Sequence, residues 1–324
     1  MEKINKVFNE PEVIKLLTIA LEHEWAVSLE YLIHAYSMPK ARFFYLDPVL
    51  AISTDVRAQV IQVGIDEMYH SLQLGIILRQ LGEIPTFKTN EVIRYPQIID
   101  NLRRDKLTED VVAELYQAVD FPSNNFPLIK NMVRNIAGDE VRHSRQFEAM
   151  IDSLEALGEA ETRIFIPSED AENKAEVQLL HEIMRLENEL MHRYLFYALL
   201  FSDHQDLFQR LFKNSINHMR HWDKNSGLLL KLGSVIQIEG AEKDEAGVEK
   251  SLTPMPASYP LLDRKEALQA LLEAEKNLAR RYEELWALLD PGEIKEQIAL
   301  HLALNREHVF TQEWLLKNAL QIWS

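Results

Sequence analysis

From Pro11 to about Ser37 the apolar residues Ile14, Leu17, Ala20, Leu21, Val27, Tyr31 and Leu32 recur at helical spacing. Pro11 suits a first helical position, and Pro39 a stop. Asp47-Pro48 reads as an N-cap followed by proline, opening a second helical region that ends at Gly82. The stretch from Glu83 to Arg94, polar and broken by Pro85, reads as a long connection. A third helix is predicted over Ile98 to Val119, ahead of Pro122, and a fourth after Ser123-Asn124, running past His143 to about Leu157 before Gly158. Four helices around one long central connection predict a four-helix bundle with a crossover.

The acidic, Pro167-bearing stretch from Gly158 to Lys174 marks a boundary, after which the same grammar repeats. Helices are predicted over Ala175 to Phe201 and Gln205 to Leu232, a polar connection over Ser234 to Pro260, and a helix over Asp263 to Leu289. A capping-box-like start at Asp290-Pro291 with Glu293 opens the last helix. The repeat holds at residue level. Ile65-Asp-Glu-Met-Tyr-His70 ahead of Leu81-Gly82 aligns with Ile216-Asn-His-Met-Arg-His221 ahead of Leu232-Gly233, with the same spacing from His to Gly. Tyr95-Pro96 and Tyr259-Pro260 give a second anchor. Apart from short loop pieces such as Arg163 to Ile166, no strand alternation is visible. The expectation is an all-α chain of two domains, residues 1–160 and 161–324.

Composition narrows the chemistry. Only 10 Gly and 12 Pro in 324 residues favour helices, and Cys 0 excludes disulfides, thiolate zinc sites and iron–sulfur clusters, so any metal must sit on His and carboxylates. A net charge of -16 argues against a nucleic-acid partner, which needs a basic face. Met1 to Lys6 lack an apolar leader, and no apolar run reaches membrane-spanning length, so a cytoplasmic protein without a membrane partner is expected.

Glu-x-x-His places a carboxylate and an imidazole on one helical face, and it occurs three times, as Glu67/His70, Glu140/His143 and Glu189/His192. A dimetal site inside a bundle takes that motif from two helices and one Glu from each of the other two. Glu24 stands seven residues, two helical turns, before Tyr31. The same Glu-x6-Tyr spacing recurs as Glu109/Tyr116, Glu187/Tyr194 and Glu275/Tyr282. The candidate ligands of the first half are therefore Glu24, Glu67, His70, Glu109, Glu140 and His143. Glu22 or Glu30 are alternatives to Glu24, and Glu114 to Glu109. Glu189/His192 reads as a chance occurrence, because its helix already supplies Glu187.

Glu67-Met-Tyr-His70 and Glu140-Val-Arg-His143 resemble the paired motifs of the ferritin-like superfamily, in its bacterioferritin and rubrerythrin branch, and the resemblance covers the chain twice over. Lys276-Asn277-Leu278 beside Glu275 resembles bacterioferritin's third helix and would suit Glu273 equally well as the ligand. The resemblance implies two tandem ferritin-like bundles and a carboxylate-bridged pair of Fe ions, with Mn as the alternative. Glu67 and Glu140 would bridge, Glu24 and Glu109 would be terminal, and one His would sit on each metal. It also implies an oxidase or oxygenase, ferroxidase-like in one variant, reacting with O2 or peroxide. Its reductant or small organic substrate is left open, as is a homodimer. The rival reading is a non-catalytic metal-binding or scaffold protein that keeps the fold. Met68 occupies the place of bacterioferritin's haem-ligating methionine, but a helical Met is more often core filler and haem is not expected.

The second half departs from the motif at decisive places. Glu67 becomes His218 and Glu140 becomes Asn305, while the two His persist as His221 and His308. Without anionic bridges two like cations would repel, so at most one Zn or Fe is expected there, on Glu187, His218, His221, Glu275 and His308. The alternative is a degenerate, metal-free domain.

Overall fold

The computed structural model describes residues 6–88, 91–122, 126–252, 254 and 259–322. Ser123-Asn124 and Met1 to Asn5 lie outside them. The chain is all-α, and its strands are only two or three residues long. In order it forms α1 (Glu10–Tyr36), β1 (Phe44–Leu46), β2 (Ser53–Asp55), α2 (Val56–Gln80), β3 (Val92–Arg94), α3 (Ile98–Gln117) and α4 (Pro127–Ala156). A single turn, α5 (Glu169–Glu172), precedes α6 (Ala175–Leu200), α7 (Gln205–Leu232), β4 (Glu242–Lys243), β5 (Glu249–Ser251), α8 (Arg264–Leu288) and α9 (Glu293–Ile322). No helix among the described residues is long and apolar enough to cross a membrane.

Two compact units emerge. The first comprises Met1–Phe165 together with Ile238–Ala257, and the second Ile166–Gln237 with Ser258–Ser324. The units therefore part five residues later than the sequence boundary, and a segment assigned by sequence to the second domain belongs to the first. The reason is strand pairing. β3, in the first long connection, presents edge groups that need partners, and β5 supplies them, with Val92 opposite Ser251 and Arg94 opposite Glu249. β4 pairs on the other side of β5. The buried Arg94 guanidinium reaches Glu249 through Nε at 2.7 Å and Ser37 Oγ at 2.8 Å. Gly247, at φ +86, lies in the turn between β4 and β5, where a Cβ would meet the Pro96 ring at 3.4 Å.

In the first unit α1 packs along α2 and α3 along α4, with α1–α3 and α2–α4 contacts closing the arrangement. Asn9 caps α1 through the Glu12 N–H at 3.0 Å, with Pro11 in the first turn. Asp47 does not cap α2. Its carboxylate accepts from the Val49 and Leu50 N–H groups and from Tyr45 and Gln146, fixing the loop of the β1–β2 hairpin, and α2 begins nine residues later, capped by Asp55. Ser28 Oγ donates to the Gly64 carbonyl at 2.8 Å, where a Cβ on Gly64 would press on Leu32 at 3.3 Å. Leu17, Leu21 and Leu32 are fully buried, each contributing about 1.5–3 kcal/mol of transfer free energy.

In the second unit α6 packs along α7 and α8 along α9, with α6–α8 and α7–α9 contacts. α7 ends at Gly233, left-handed at φ 86. A reciprocal capping box at Asp263 and Glu266 opens α8, while α9 starts at Glu293 itself, which places Asp290 ahead of the N-cap position. Ser215 Oγ donates to the Met191 carbonyl at 2.8 Å, joining α7 to α6.

Candidate metal centre

The helices of the first unit bring all six expected residues together in its interior. Glu24 comes from α1, Glu67 and His70 from α2, Glu109 from α3, and Glu140 and His143 from α4. They form two groups whose ligand atoms lie within 4.8 Å of one another, Glu24/Glu67/His70/Glu140 and Glu67/Glu109/Glu140/His143. Glu67 and Glu140 belong to both. None of the six is more than 4% exposed.

The imidazoles are oriented by carboxylates outside this ring. His70 Nε2 donates to Asp139 Oδ2 at 3.3 Å, and His143 Nε2 donates to Asp66 Oδ2 at 3.3 Å. Arg142 Nη2 also lies 3.1 Å from His143 Nε2, but its proton goes to Asp66 Oδ2 at 3.0 Å, so we assign the Nε2 proton to the His143 ring. An ionised Asp only accepts, so each ring turns Nδ1 inward. His70 Nδ1 faces Glu67 at 3.0 Å, Glu24 at 3.3 Å and Glu140 at 3.4 Å, and His143 Nδ1 faces Glu67 at 2.8 Å and Glu109 at 3.5 Å.

The tyrosines pair across helices rather than along them. Tyr31 on α1 donates to Glu109 Oε1 on α3 at 2.6 Å, and Tyr116 on α3 donates to Glu24 Oε1 on α1. Each hydroxyl thereby fixes one oxygen of its Glu and leaves the other free to face the cluster.

Four carboxylates in a dry space repel one another. Burial and the charge of Glu140 push Glu67 up to about 8, and burial with Glu67 raises Glu109. Burial, Glu109 and Glu24 push Glu140 well above the carboxylate range. Glu24 is the exception: burial opposes its charge, but hydrogen bonds led by His70 hold it at about 2. Glu67 Oε1, Glu109 Oε2, Glu140 Oε1 and His143 Nδ1 are buried without an aligned hydrogen-bond partner; even the 2.8 Å approach of Glu67 to His143 is misaligned. Orphaned oxygens and a ring nitrogen converging in one place are what a pair of cations would satisfy.

The alternative ligands lie elsewhere. Glu22 accepts from Thr86 Oγ1 at 2.8 Å, Glu114 is exposed, and Glu30 is held by Arg104 at 2.5 Å and by the Ile93 N–H at 2.9 Å. Glu30 does adjoin a further buried group with His34 and Asp105. There, His34 donates through Nε2 to the Ile93 carbonyl at 2.6 Å and meets Asp105 through Nδ1 at 2.8 Å. With Arg104 already neutralising Glu30, that group binds α1, α3 and β3 together. Glu189 pairs with Arg193 at 2.7 Å, while His192 donates to the Asn188 carbonyl, and neither joins a ligand group. Glu273 is exposed beside Lys276, and Met68 is buried.

In the second unit Glu187, His218, His221, Glu275 and His308 also come together, as Glu187/His218/His221 and His218/Glu275/His308. His218 lies between the carboxylates, 2.5 Å from Glu187 through Nδ1 and 3.0 Å from Glu275 through Nε2. The crossed tyrosines recur, with Tyr194 donating to Glu275 at 2.7 Å and Tyr282 donating to Glu187.

Sequence reasoning missed Asp66 and Asp139, although both immediately precede a ligand Glu, in Asp66-Glu67 and Asp139-Glu140. The shared Asp-Glu-x-x-His pattern was the available signal. No protein-family model matches this chain, and no curated protein matches it as a relative.

Proposed function

We propose that the first unit is a ferritin-like four-helix bundle, the first of two in tandem, that holds a pair of Fe ions, or Mn in their place, and works as a non-haem oxidase or oxygenase toward O2 or peroxide. One observation carries this reading: six buried ligands from four helices form two groups that share Glu67 and Glu140. The tandem arrangement is supported by the crossed Tyr–Glu pairs, Tyr31–Glu109 with Tyr116–Glu24 and Tyr194–Glu275 with Tyr282–Glu187.

The metal pair would supply redox electrons and open positions for the oxidant. Glu67 and Glu140 offset the mutual repulsion of two cations, and Glu24 and Glu109 complete a neutral set of four carboxylates for two divalent charges. Asp66 and Asp139 keep the imidazole protons on Nε2, which leaves Nδ1 as the donor atom. Tyr31 and Tyr116 hold the terminal carboxylates in place, and burial excludes bulk water. Burial and mutual repulsion favour the protonated forms of Glu67 and Glu140 in the metal-free centre, so metal loading would displace protons from them. With Cys 0 the chain has no rubredoxin-like module, so electrons come from a separate donor or from Fe(II) itself as substrate.

The test is anaerobic loading of chelator-stripped protein with Fe(II), followed by oxygen. Oxygen uptake with a new near-ultraviolet band, both lost in Glu67→Ala/Glu140→Ala, is expected. No uptake and an unchanged spectrum in the wild type would leave only the scaffold reading.

A further inference from the structure

The second unit retains its terminal carboxylates and two histidines but has lost both shared carboxylates. Two buried charges, Glu187 and Glu275, remain against three imidazoles. Among the described residues no Lys or Arg pairs with either Glu; their contacts are with Tyr, His and Asn side chains. Two negative charges without a guanidinium or ammonium match one divalent cation, where the first unit's four match two.

The two sides of His218 are unequal. Glu275 already accepts from Tyr194 at 2.7 Å and from the Asn305 amide, and it faces His308 Nδ1 at 3.2 Å. Asn217 stands where the first unit has Asp66, and its amide donates to His308 Nε2 at 3.2 Å. An acceptor has become a donor, so the His308 proton moves to Nδ1 and points at Glu275. His308 on this side is a hydrogen-bond donor, not a ligand. Among the described residues, Glu187 is engaged outside the imidazoles only by Tyr282. His218 Nδ1 lies 2.5 Å from Glu187 Oε2 and His221 Nδ1 lies 3.1 Å from Glu187 Oε1, both from the same face of α7. The His221 ring is held by stacking on His301 at 4.6 Å, and His301 is anchored by Asn225 at 3.0 Å.

We infer that the second unit carries its own mononuclear site, Glu187, His218 and His221, for a single imidazole-preferring divalent ion of the Zn(II) class. Two imidazoles and one carboxylate suit Zn(II) or its first-row neighbours and not Mg or Ca, which require oxygen ligands throughout. The proton on His218 Nε2, donated to Glu275 at 3.0 Å, provides the carboxylate–imidazole–metal relay that orients such a ligand. The replacement of the bridging Glu67 by His218 thus converts a shared carboxylate position into a nitrogen ligand with Glu275 behind it. Three protein ligands leave a coordination position for water or a small molecule.

The test is a metal count on the full-length protein, stripped with chelator, loaded with Zn2+ and desalted. The wild type is expected to hold three per chain, Glu67→Ala/Glu140→Ala one, and the same variant with His218→Ala and His221→Ala none. In the otherwise wild-type protein, His218→Ala/His221→Ala should lose one of three, a comparison that stands even if the carboxylate variant does not fold. Co2+ in place of Zn2+ should give a visible d–d band that survives Glu67→Ala/Glu140→Ala and disappears with His218 and His221. Equal counts in wild type and His218→Ala/His221→Ala would overturn the inference, with His218 then serving as an internal cation between two glutamates. A wild-type count of one, lost with His218 and His221, would uphold it while removing the dimetal reading of the first unit.

Discussion

Replacing Glu67 by Gln should stabilise the metal-free protein and weaken the metal-loaded one. In the stripped protein Glu67 is fully buried, and burial together with Glu140 pushes it up to about 8 from an ordinary value of 4.5. A carboxyl raised in this way holds a proton in the folded state that the unfolded chain releases, so its contribution to stability is lost as pH rises from 4.5 toward 8. At about 1.4 kcal/mol per pH unit, the loss by pH 7 is about 3 kcal/mol. Gln keeps the shape without the ionisation and should recover most of it, which for a unit of this size is a rise in Tm of about 6–12 °C. Thermal melts followed by circular dichroism in excess chelator between pH 5 and 8 read this directly, and the gap between variant and wild type should widen with pH. On adding Fe(II) or Mn(II) the order should reverse, because both ligand groups lose a shared member. A stripped variant that melts at or below wild type at pH 8, or a gap that does not depend on pH, would refute the reasoning.

Asp66→Asn installs in the first unit the donor found at Asn217 and should move the His143 proton to the inward-facing Nδ1; on the proposed dimetal reading, calorimetric metal titration should show one of the two ions bound about 10–100-fold more weakly. Tyr116→Phe removes the hydroxyl that fixes Glu24 and should cost about 1.5–3 kcal/mol in urea unfolding of the metal-free protein, as expected for a hydrogen bond to a charged group. Glu249→Ala leaves the buried Arg94 guanidinium without its carboxylate and should lower the stability of the first unit by about 3–5 kcal/mol, seen as an earlier denaturant midpoint, while the metal count stays unchanged.

The helices and the convergence of the six buried Glu and His side chains were legible because both follow from periodicity. Burying one face of a long helix requires apolar residues at 3.6-residue spacing, and a Glu-x-x-His pair on one helical face is visible to the eye. What periodicity cannot report is partnership between helices. Glu24 and Tyr31 share a helix and a spacing, yet Tyr31 serves Glu109, and only packing could place it there. Asp47-Pro48 carried a sound N-cap signature, but the same carboxylate also satisfies a tight loop, and the hydroxyl of Tyr45 with the amide of Gln146 decided for the loop. The exchange of 238–257 into the first unit was invisible for a different reason. A strand of three residues buries too little to leave a pattern, and its pairing with β3 is made by backbone groups that every sequence carries.

The two units together separate what the fold requires from what the proposed dimetal centre would require. Both keep a terminal Glu on each of two helices and a Tyr crossing to it, and both join the first helix pair by a serine hydroxyl on a backbone carbonyl, Ser28 to Gly64 and Ser215 to Met191. Among the six clustered residues and the two Asp that orient the imidazoles, what changes is two pairs of adjacent positions, Asp66-Glu67 to Asn217-His218 and Asp139-Glu140 to Leu304-Asn305. Each pair loses both of its carboxylates, so four negative charges disappear with the two shared ligands and the two acceptors that orient the imidazoles. Glu187 and Glu275 cannot be dispensed with so simply, since deleting either would strand a buried tyrosine hydroxyl and a histidine. The terminal carboxylates are thus tied to the packing of the helices. On the proposed reading the shared ones answer to a second cation, and their absence would leave the second unit with charge and nitrogen ligands for one.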